Sequence, residues 1–266
     1  MMSQGECLNI PMIKIMLVAN AGISIEYNGQ QILIDALHAG HRLFPATPPE
    51  AIRQLLDGLP PFESVKALLF THNHIDHFSA PLALQVLQRY PEMSFISDQP
   101  SAASLLDLSH SERAGLDSSR IQAIPWFEAD VFRTRVGEFS IEGLSFEHEG
   151  SRFAEIPNIG YLVTIKGRTI LFPGDARMAP GNFEQLASFQ QPIDTAVVMF
   201  PYISTGRGQT LIREVIKPRR LIVVHWPDPS RDSQQFTDSA KRYFAKTKDQ
   251  LMETFFLEKY EDSVEF

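Results

Sequence analysis

The sequence predicts an α+β fold in which two mixed β-sheets pack face to face and helices cover both outer faces, a four-layer αββα sandwich. The first observation is composition: 266 residues, 44% hydrophobic and 21% charged, are typical of a globular chain with a large core. The second is a hairpin pattern that occurs twice, and the third is the alternation of strand and helix patterns after each hairpin. These features exclude fibrous, disordered and disulfide-scaffold proteins.

The first half of the chain opens with a hairpin. Gly22 and Gly29 bound its first strand, Asn28-Gly29 is a strong type I′ turn signal, and the returning strand contains residues 32–34. The hydrophobic period next predicts a helix over 49–57, a buried strand over 65–70, an amphipathic helix over 79–90 and a strand over 93–97.

The second half repeats this order. A strand is predicted over 139–146, and Gly160 and Gly167 then bound a second hairpin whose turn signal, Lys166-Gly167, is weaker. Its returning strand contains residues 170–172. The remaining patterns predict a helix over 183–189, a buried strand over 193–200, a helix over 209–216, a strand over 221–224 and a helix over 233–245.

The absence of a linker predicts one domain rather than two. No Gly/Ser-rich or Pro-rich linker divides the sequence, so we expect a single domain over 1–266 with pseudo-repeated halves, 1–135 and 136–266. The stretch 253–260 alternates imperfectly and fits either an edge strand or an interface.

Charge and cysteine content limit the partners and the compartment. The formal net charge is −8, and Lys and Arg form no block, so neither extended nucleic acid nor an anionic membrane is the expected partner. The single cysteine, Cys7, allows no internal disulfide. The apolar stretch 10–19 is too short to span a bilayer and lacks a signal-peptide pattern, so we expect a cytoplasmic protein. The oligomeric state is left open.

A histidine-rich run follows the predicted strand 65–70. His72 and His74 are two apart in extended chain and project to the same side, where they can share one ion. Asp76 and His77 follow a bend and can diverge toward a second position. Clustering three histidines and a carboxylate is costly unless hydrogen bonds or a cation compensate, so the run predicts a metal site.

Three further candidate ligands follow predicted strands. His148 comes after the strand 139–146, Asp175 after the second hairpin and His225 after the strand 221–224. Each has an ordinary explanation when taken singly. Because α/β architectures gather their sites at the carboxyl ends of strands, we expect the three side chains to meet the histidine-rich run.

With these residues the sequence resembles the metallo-β-lactamase-fold hydrolases over nearly its whole length. The resemblance implies an αββα sandwich with a dinuclear site, in which Asp35 acts from outside the ligand set by orienting the histidine-rich loop. The compact branch similar to L-ascorbate-6-phosphate lactonase-like enzymes fits best. The implied ligands are His72, His74 and His148 for one metal, Asp76, His77 and His225 for the other, and Asp175 as the bridge between them.

This ligand set predicts a hydrolase. Mixed nitrogen and oxygen ligation suits Zn²⁺ best, with Mn²⁺ or Fe²⁺ as alternatives, and the two divalent ions make the site locally cationic. We expect a metal-bridging hydroxide to attack a small, anionic or neutral ester, lactone or phosphorylated metabolite, with Asp76 or Asp175 taking the proton. The alternatives are a phosphodiesterase acting on a small phosphodiester or nucleotide, and a non-catalytic metal-binding sensor or scaffold.

Loops at the same edge supply the expected substrate contacts. The segment 37–45 follows Asp35 directly, and Asn20 is a candidate either for approaching the site or for supporting a turn. A solvated loop whose histidines have no role is the competing interpretation of this segment. The candidate substrate-binding residues are His38, His41, Arg42, Arg177 and Tyr202.

Overall fold

Two seven-stranded β-sheets form the centre of the molecule, with helices on both outer faces. The computed structural model describes residues 12–127, 131–189 and 191–266; Cys7 lies outside them. The predicted α+β, four-layer αββα sandwich is confirmed.

The first sheet comes mainly from the first half of the chain. Its strands are β1 (Lys14–Ala19), β2 (Gly22–Tyr27), β3 (Gln30–Ile34), β4 (Val65–Phe70), β5 (Ser94–Asp98), β6 (Ile121–Ile124) and β14 (Ser263–Glu265). Their order across the sheet is β14-β1-β2-β3-β4-β5-β6. Strands β14 to β3 pair antiparallel, and β3 to β6 pair parallel.

The second sheet has the same plan. Its strands are β7 (Phe132–Val136), β8 (Phe139–Glu147), β9 (Pro157–Ile165), β10 (Arg168–Phe172), β11 (Thr195–Met199), β12 (Arg220–Val224) and β13 (Glu253–Phe256). The order is β13-β12-β11-β10-β9-β8-β7, with parallel pairing from β10 to β13 and antiparallel pairing from β7 to β10. Strand β13 lies at the sheet's edge, so part of the stretch 253–260 is an edge strand.

Both predicted hairpins are present. Asn28 and Gly29 have φ of 50° and 70°, and Lys166 and Gly167 have φ of 49° and 79°. Two positive φ values in a two-residue connection are the signature of a type I′ turn, whose twist matches that of the flanking strands. Each hairpin delivers the strand that begins the parallel part of its sheet, β3 or β10.

Three of the six helices in the described residues agree with the predictions. They are α1 (Pro49–Asp57), α2 (Ala80–Arg89), α3 (Gln99–Ser111), α4 (Pro201–Ser204), α5 (Gly206–Leu211) and α6 (Phe236–Thr247). The helix predicted over 183–189 is instead a 3₁₀ segment over Pro180–Ser188, and that predicted over 209–216 is α5 followed by a π turn over Ile212–Ile216. Helices α1, α2 and α6 are the three that agree, and helices α3 and α4 were not predicted.

Three apolar clusters hold the layers together. One lies between the sheets and includes Ile15 and Ile23 from the first and Ile141 and Val163 from the second, each with 0% exposure. The other two join each sheet to its own helices. Among the residues that the structure describes, no helix combines the length and the apolarity that a membrane span requires.

Candidate metal centre

All seven side chains predicted as metal ligands meet at one edge of the two sheets. The histidine-rich run follows β4, and the other three residues follow β8, β10 and β12. Their ligand atoms form three overlapping groups in which all atoms lie within 4.8 Å of one another, namely His72, His74 and His148; His72, His77 and Asp175; and Asp76, His77 and His225.

The first group joins the histidine-rich run to the end of β8. His72 Nε2 lies 3.0 Å from His74 Nδ1 and 3.3 Å from His148 Nε2. Ligand atoms about 2.0–2.1 Å from a tetrahedral zinc ion lie about 3.3 Å from one another. The spacing of these three nitrogens therefore matches one shared cation.

The group of Asp76, His77 and His225 joins the same run to the end of β12. His77 Nε2 lies 3.1 Å from His225 Nε2, and Asp76 Oδ2 lies 4.0 Å from that atom of His225. Both imidazoles are buried, whereas the Asp76 side chain is 13% exposed. A second cation would thus have two buried nitrogen ligands and one carboxylate at the solvent side.

Asp175 lies between the group that contains His148 and the group that contains His225, and faces each with a different oxygen. Its Oδ2 is 3.7 Å from His148 Nε2, and its Oδ1 is 3.5 Å from His77 Nε2 and 3.7 Å from His225 Nε2. Oδ1 is buried without a hydrogen-bond partner among the described residues. A buried carboxylate oxygen in that state is costly unless a cation or water satisfies it, so the geometry favours a bridging role.

Asp35 and Thr71 determine which nitrogen of two histidines has the proton. Thr71 Oγ1 donates to Asp35 Oδ2 at 2.6 Å, so it accepts the hydrogen bond from His72 Nδ1 at 2.9 Å. His77 Nδ1 donates to Asp35 Oδ2 at 2.8 Å. In both rings the lone pair is left on Nε2, the atom that faces the cluster. Asp35 thus contacts His77 directly and His72 through Thr71.

His148 has its proton on the same nitrogen. Its Nδ1 lies 2.7 Å from the Glu149 carbonyl oxygen, which can only accept, so Nε2 has the lone pair. The lone pairs of His72 Nε2 and His148 Nε2 then face each other at 3.3 Å with no proton between them. A cation stabilises that arrangement, and the residues present therefore fit a divalent metal ion.

The pKa values favour neutral ligands at most positions. Burial, reinforced by His77, lowers the pKa of His72 well below its usual value, and burial with His148 lowers that of His74 to about 4. Burial also lowers the pKa of His225. For His77 burial acts the same way, but Asp175 and Asp35 outweigh it and raise the pKa. A cation thus competes with a proton mainly at His77.

Backbone features at three strand ends position these side chains. Asp35 and His225 have φ of 50° and 65°, a left-handed conformation that costs a non-glycine residue about 1–2 kcal/mol. Gly174 has φ of 62°, and a Cβ there would lie 2.6 Å from Asn158 Oδ1. Asn158 Oδ1 accepts a hydrogen bond from the Asp175 amide at 3.0 Å, so the glycine lets this contact hold the bridging residue in place.

The residues predicted to contact substrate do not all lie at the mouth of the site. Tyr202 is fully buried and donates to the Ala176 carbonyl oxygen at 2.7 Å, because the chain turns into α4 directly after β11 and directs the ring under the sheet. The structure therefore does not place Tyr202 at the mouth of the site, contrary to expectation. Arg177 is exposed, but its guanidinium is paired with Glu147 at 2.6 Å.

The segment 37–45 divides into a buried and an exposed part. His38 is fully buried, and its Nδ1 accepts a hydrogen bond from the Gly40 amide at 3.2 Å. Burial, with His77 and His225 nearby, lowers its pKa to about 3, so the ring is neutral. His41 and Arg42 are exposed. This segment therefore lies beside the cluster, with only its outer residues accessible.

Two aromatic rings at the cluster were not among the predicted site residues. Phe44 packs edge-on against His225 with ring centroids 4.1 Å apart, and Phe153 packs against His74 at 4.9 Å and His148 at 5.1 Å. The guanidinium of Arg152 lies over the Phe153 ring, 4.5 Å from its centroid. Phe44 lies in the segment 37–45, which the sequence already indicated as a candidate substrate loop. No such sequence signal pointed to Phe153.

Comparison with known proteins agrees with this architecture. Residues 30–226 match the model of the beta-lactamase superfamily domain. No curated protein sequence matches the chain significantly. Solved structures at low identity share the fold.

Three of those structures are similar to this chain over nearly its whole length. Igni18, a metallo hydrolase of Ignicoccus hospitalis, has a TM-score of 0.61 and 17% identity, with 96% of this chain and 98% of that one covered. The metallo-beta-lactamase fold protein YhfI of Bacillus subtilis has a TM-score of 0.63 and 14% identity, covering 96% and 100%. The diiron beta-hydroxylase CmlA of Streptomyces venezuelae has a TM-score of 0.60 and 18% identity, covering 96% of this chain but 54% of CmlA.

Proposed function

The chain belongs to the beta-lactamase superfamily, and we propose that it is a dinuclear metal-dependent hydrolase acting on a small anionic ester, lactone or phosphorylated metabolite. The observation on which this depends most is Asp175, whose two oxygens face two separate groups of histidines. A carboxylate in that position suits two cations held side by side. The branch similar to L-ascorbate-6-phosphate lactonase-like enzymes stays a prediction.

The donor atoms favour zinc. Five imidazoles and two carboxylates form the cluster, and mixed nitrogen and oxygen ligation suits Zn²⁺, while Fe²⁺ and Mn²⁺ accept the same ligands. The structural similarity to a diiron protein makes iron the main competitor. Two divalent cations bound there would polarise a carbonyl or phosphoryl oxygen and lower the pKa of a water molecule toward about 7.

The two carboxylates are the groups of this chain suited to move the proton. The side chains of Asp76 and Asp175 are 13% and 16% exposed, so a water molecule and a substrate can reach both. Burial tends to raise the pKa of Asp175, but His77 and His225 hold it well below its usual value. Asp175 therefore stays ionised to orient the site, and Asp76 is the better candidate for taking the proton from water and passing it to the leaving group.

The surroundings of the cluster support a small anionic substrate. Two carboxylates do not neutralise two divalent cations, so the loaded site has a net positive charge despite the −8 of the chain. Phe44 packs against His225 in one group of histidines, and Phe153 packs against His74 in the other. Each group therefore has an apolar ring beside it. Arg152 adds an exposed cation beside the ring of Phe153, with no carboxylate within 4.0 Å among the described residues.

A hydrolysis screen on zinc-loaded protein tests this proposal. We expect turnover of at least one lactone, carboxylate ester or phosphomonoester, loss of that turnover after chelation, and its return with Zn²⁺. Turnover restricted to phosphodiesters would favour the phosphodiesterase alternative. Two bound ions with no turnover across all four classes would contradict the proposal and favour a non-catalytic metal-binding protein.

Arg152→Gln should weaken binding of an anion at the site. Inorganic phosphate is a suitable probe, measured by isothermal titration calorimetry on the zinc-loaded chain. We expect its affinity to fall by up to about fivefold, since an exposed ion pair contributes at most about 1 kcal/mol. Arg177→Gln should have a smaller effect because that guanidinium is already paired with Glu147.

The control is Arg133→Gln, which removes an exposed charge on the edge strand β7, where Arg133 pairs with Glu142. Phosphate affinity should stay at the wild-type value in this variant. Equal loss in all three variants would mean that only the overall charge matters and that Arg152 has no local role.

A further inference from the structure

The Nδ1 atom of His225 has a different neighbour from that of the three other buried histidines among the candidate ligands. His72, His77 and His148 each place Nδ1 within hydrogen-bond distance of an oxygen acceptor, which leaves Nε2 free for the cluster. His225 Nδ1 instead lies 3.4 Å from the side-chain amide of Asn20, oriented with Nδ2 toward the ring. In that orientation the amide donates to Nδ1, and the ring proton is left on Nε2, the atom that faces the cluster.

The other end of the Asn20 amide is unsatisfied. Asn20 is 7% exposed, and its Oδ1 is buried without a hydrogen-bond partner among the described residues. A half-turn of the amide exchanges oxygen and nitrogen at almost no change in shape. That half-turn places an acceptor against His225 Nδ1, as in the other three rings.

The backbone already ties the two residues together. The His225 amide donates to the Asn20 carbonyl oxygen at 3.0 Å, directly beside the left-handed turn at His225. Phe44 packs edge-on against the ring and fixes its plane, but a phenyl ring cannot select the nitrogen that has the proton. Asn20 is the described side chain within hydrogen-bond distance of Nδ1 that can make this choice.

We propose that Asn20 is the positioning residue of His225: its Oδ1 accepts a hydrogen bond from Nδ1–H and thereby makes Nε2 the ligand atom. This assignment rests on the dinuclear site proposed above. Partners of this kind typically contribute 10- to 100-fold in metal affinity, roughly speaking, because they fix both the tautomer and the orientation of the ring.

Two substitutions at Asn20 test whether its side chain accepts a hydrogen bond from His225 Nδ1 or donates one to it. Asn20→Asp has acceptor oxygens only, so it should keep Nδ1–H and bind zinc at least as well as the wild type. Asn20→Leu has similar bulk and neither function. It should weaken one of the two zinc equivalents by roughly 10- to 100-fold, while the equivalent held by His72, His74 and His148 stays unchanged as an internal control.

Zinc titration against a competing chelator measures the affinity of the chain for each of the two zinc ions. Long-range ¹⁵N–¹H NMR correlations on the zinc-loaded protein report the tautomer, with His225 assigned by comparison with His225→Gln. We expect Nδ1–H in the wild type and in Asn20→Asp.

The outcomes distinguish this assignment from the proposed function. If the wild type binds two zinc ions and Asn20→Leu binds both equally well, the role of Asn20 is overturned and the proposed function stands. Weakened zinc binding in Asn20→Asp would mean that Asn20 acts as a donor, and would overturn the assignment even if Asn20→Leu fails to fold. A wild-type chain that binds no zinc would overturn both.

Discussion

Asp175→Asn should abolish most of the hydrolytic activity found in the substrate screen. The amide has one oxygen and one nitrogen donor, so it cannot face both histidine groups with anionic oxygens as Asp175 does at 3.5 and 3.7 Å. Metal-centred charge stabilisation contributes several kcal/mol, and a loss of about 4 kcal/mol corresponds to roughly a 10³-fold lower kcat/KM. Steady-state kinetics and metal analysis of the same sample measure both effects.

Asp117→Asn provides the matched control. Asp117 is an exposed aspartate that accepts a hydrogen bond from the Ser119 amide at the start of a short 3₁₀ turn, away from the cluster. It should keep wild-type activity and metal content. If Asp175→Asn retained full activity with both metals, the bridging role would be wrong.

Asp35→Ala should have the largest effect on stability. The carboxylate is 0% exposed and accepts from the Thr71 amide, the Thr71 hydroxyl and His77 Nδ1 at 2.6 to 2.8 Å. Leaving a buried donor unsatisfied costs about 1–3 kcal/mol. We expect the free energy of unfolding to fall by about 3–5 kcal/mol and zinc affinity to fall with it, as measured by urea unfolding and chelator competition.

Asp98→Asn is the control that separates the loss of stability from the loss of zinc affinity. Asp98 is also 0% exposed and ends the neighbouring strand β5, but its carboxylate accepts from the Ser101 amide at the start of α3 rather than from a histidine. Its substitution should change stability without changing zinc affinity. Zinc affinity unchanged in Asp35→Ala would contradict the idea that Asp35 orients the histidine-rich loop.

The predictable parts of this molecule are those with local causes. The Asn28-Gly29 and Lys166-Gly167 turns follow from backbone conformations that few residues adopt, and both hairpins are present. The seven candidate ligands were found because each follows a strand, and strand ends share an edge.

The parts that escaped prediction depend on distant contacts. Helix α3 has a weak sequence pattern with serines along its length, and the Asp98 side chain that begins it is recognisable as a cap only once β5 is in place. The burial of Tyr202 depends on the Ala176 carbonyl, 26 residues earlier. Phe153 reaches His74 only through the fold, so its role beside the cluster had no local signal.

Metal stoichiometry tests the central claim most directly. Protein purified without added metal, and then titrated with Zn²⁺ after stripping, should bind two ions per chain as measured by elemental analysis. His148→Ala and His225→Ala should each bind one, because these residues belong to different groups. Two ions in the wild type and one in each variant are the predicted result; a single ion in the wild type, or loss of both ions in only one of the variants, would contradict a dinuclear centre bridged by Asp175.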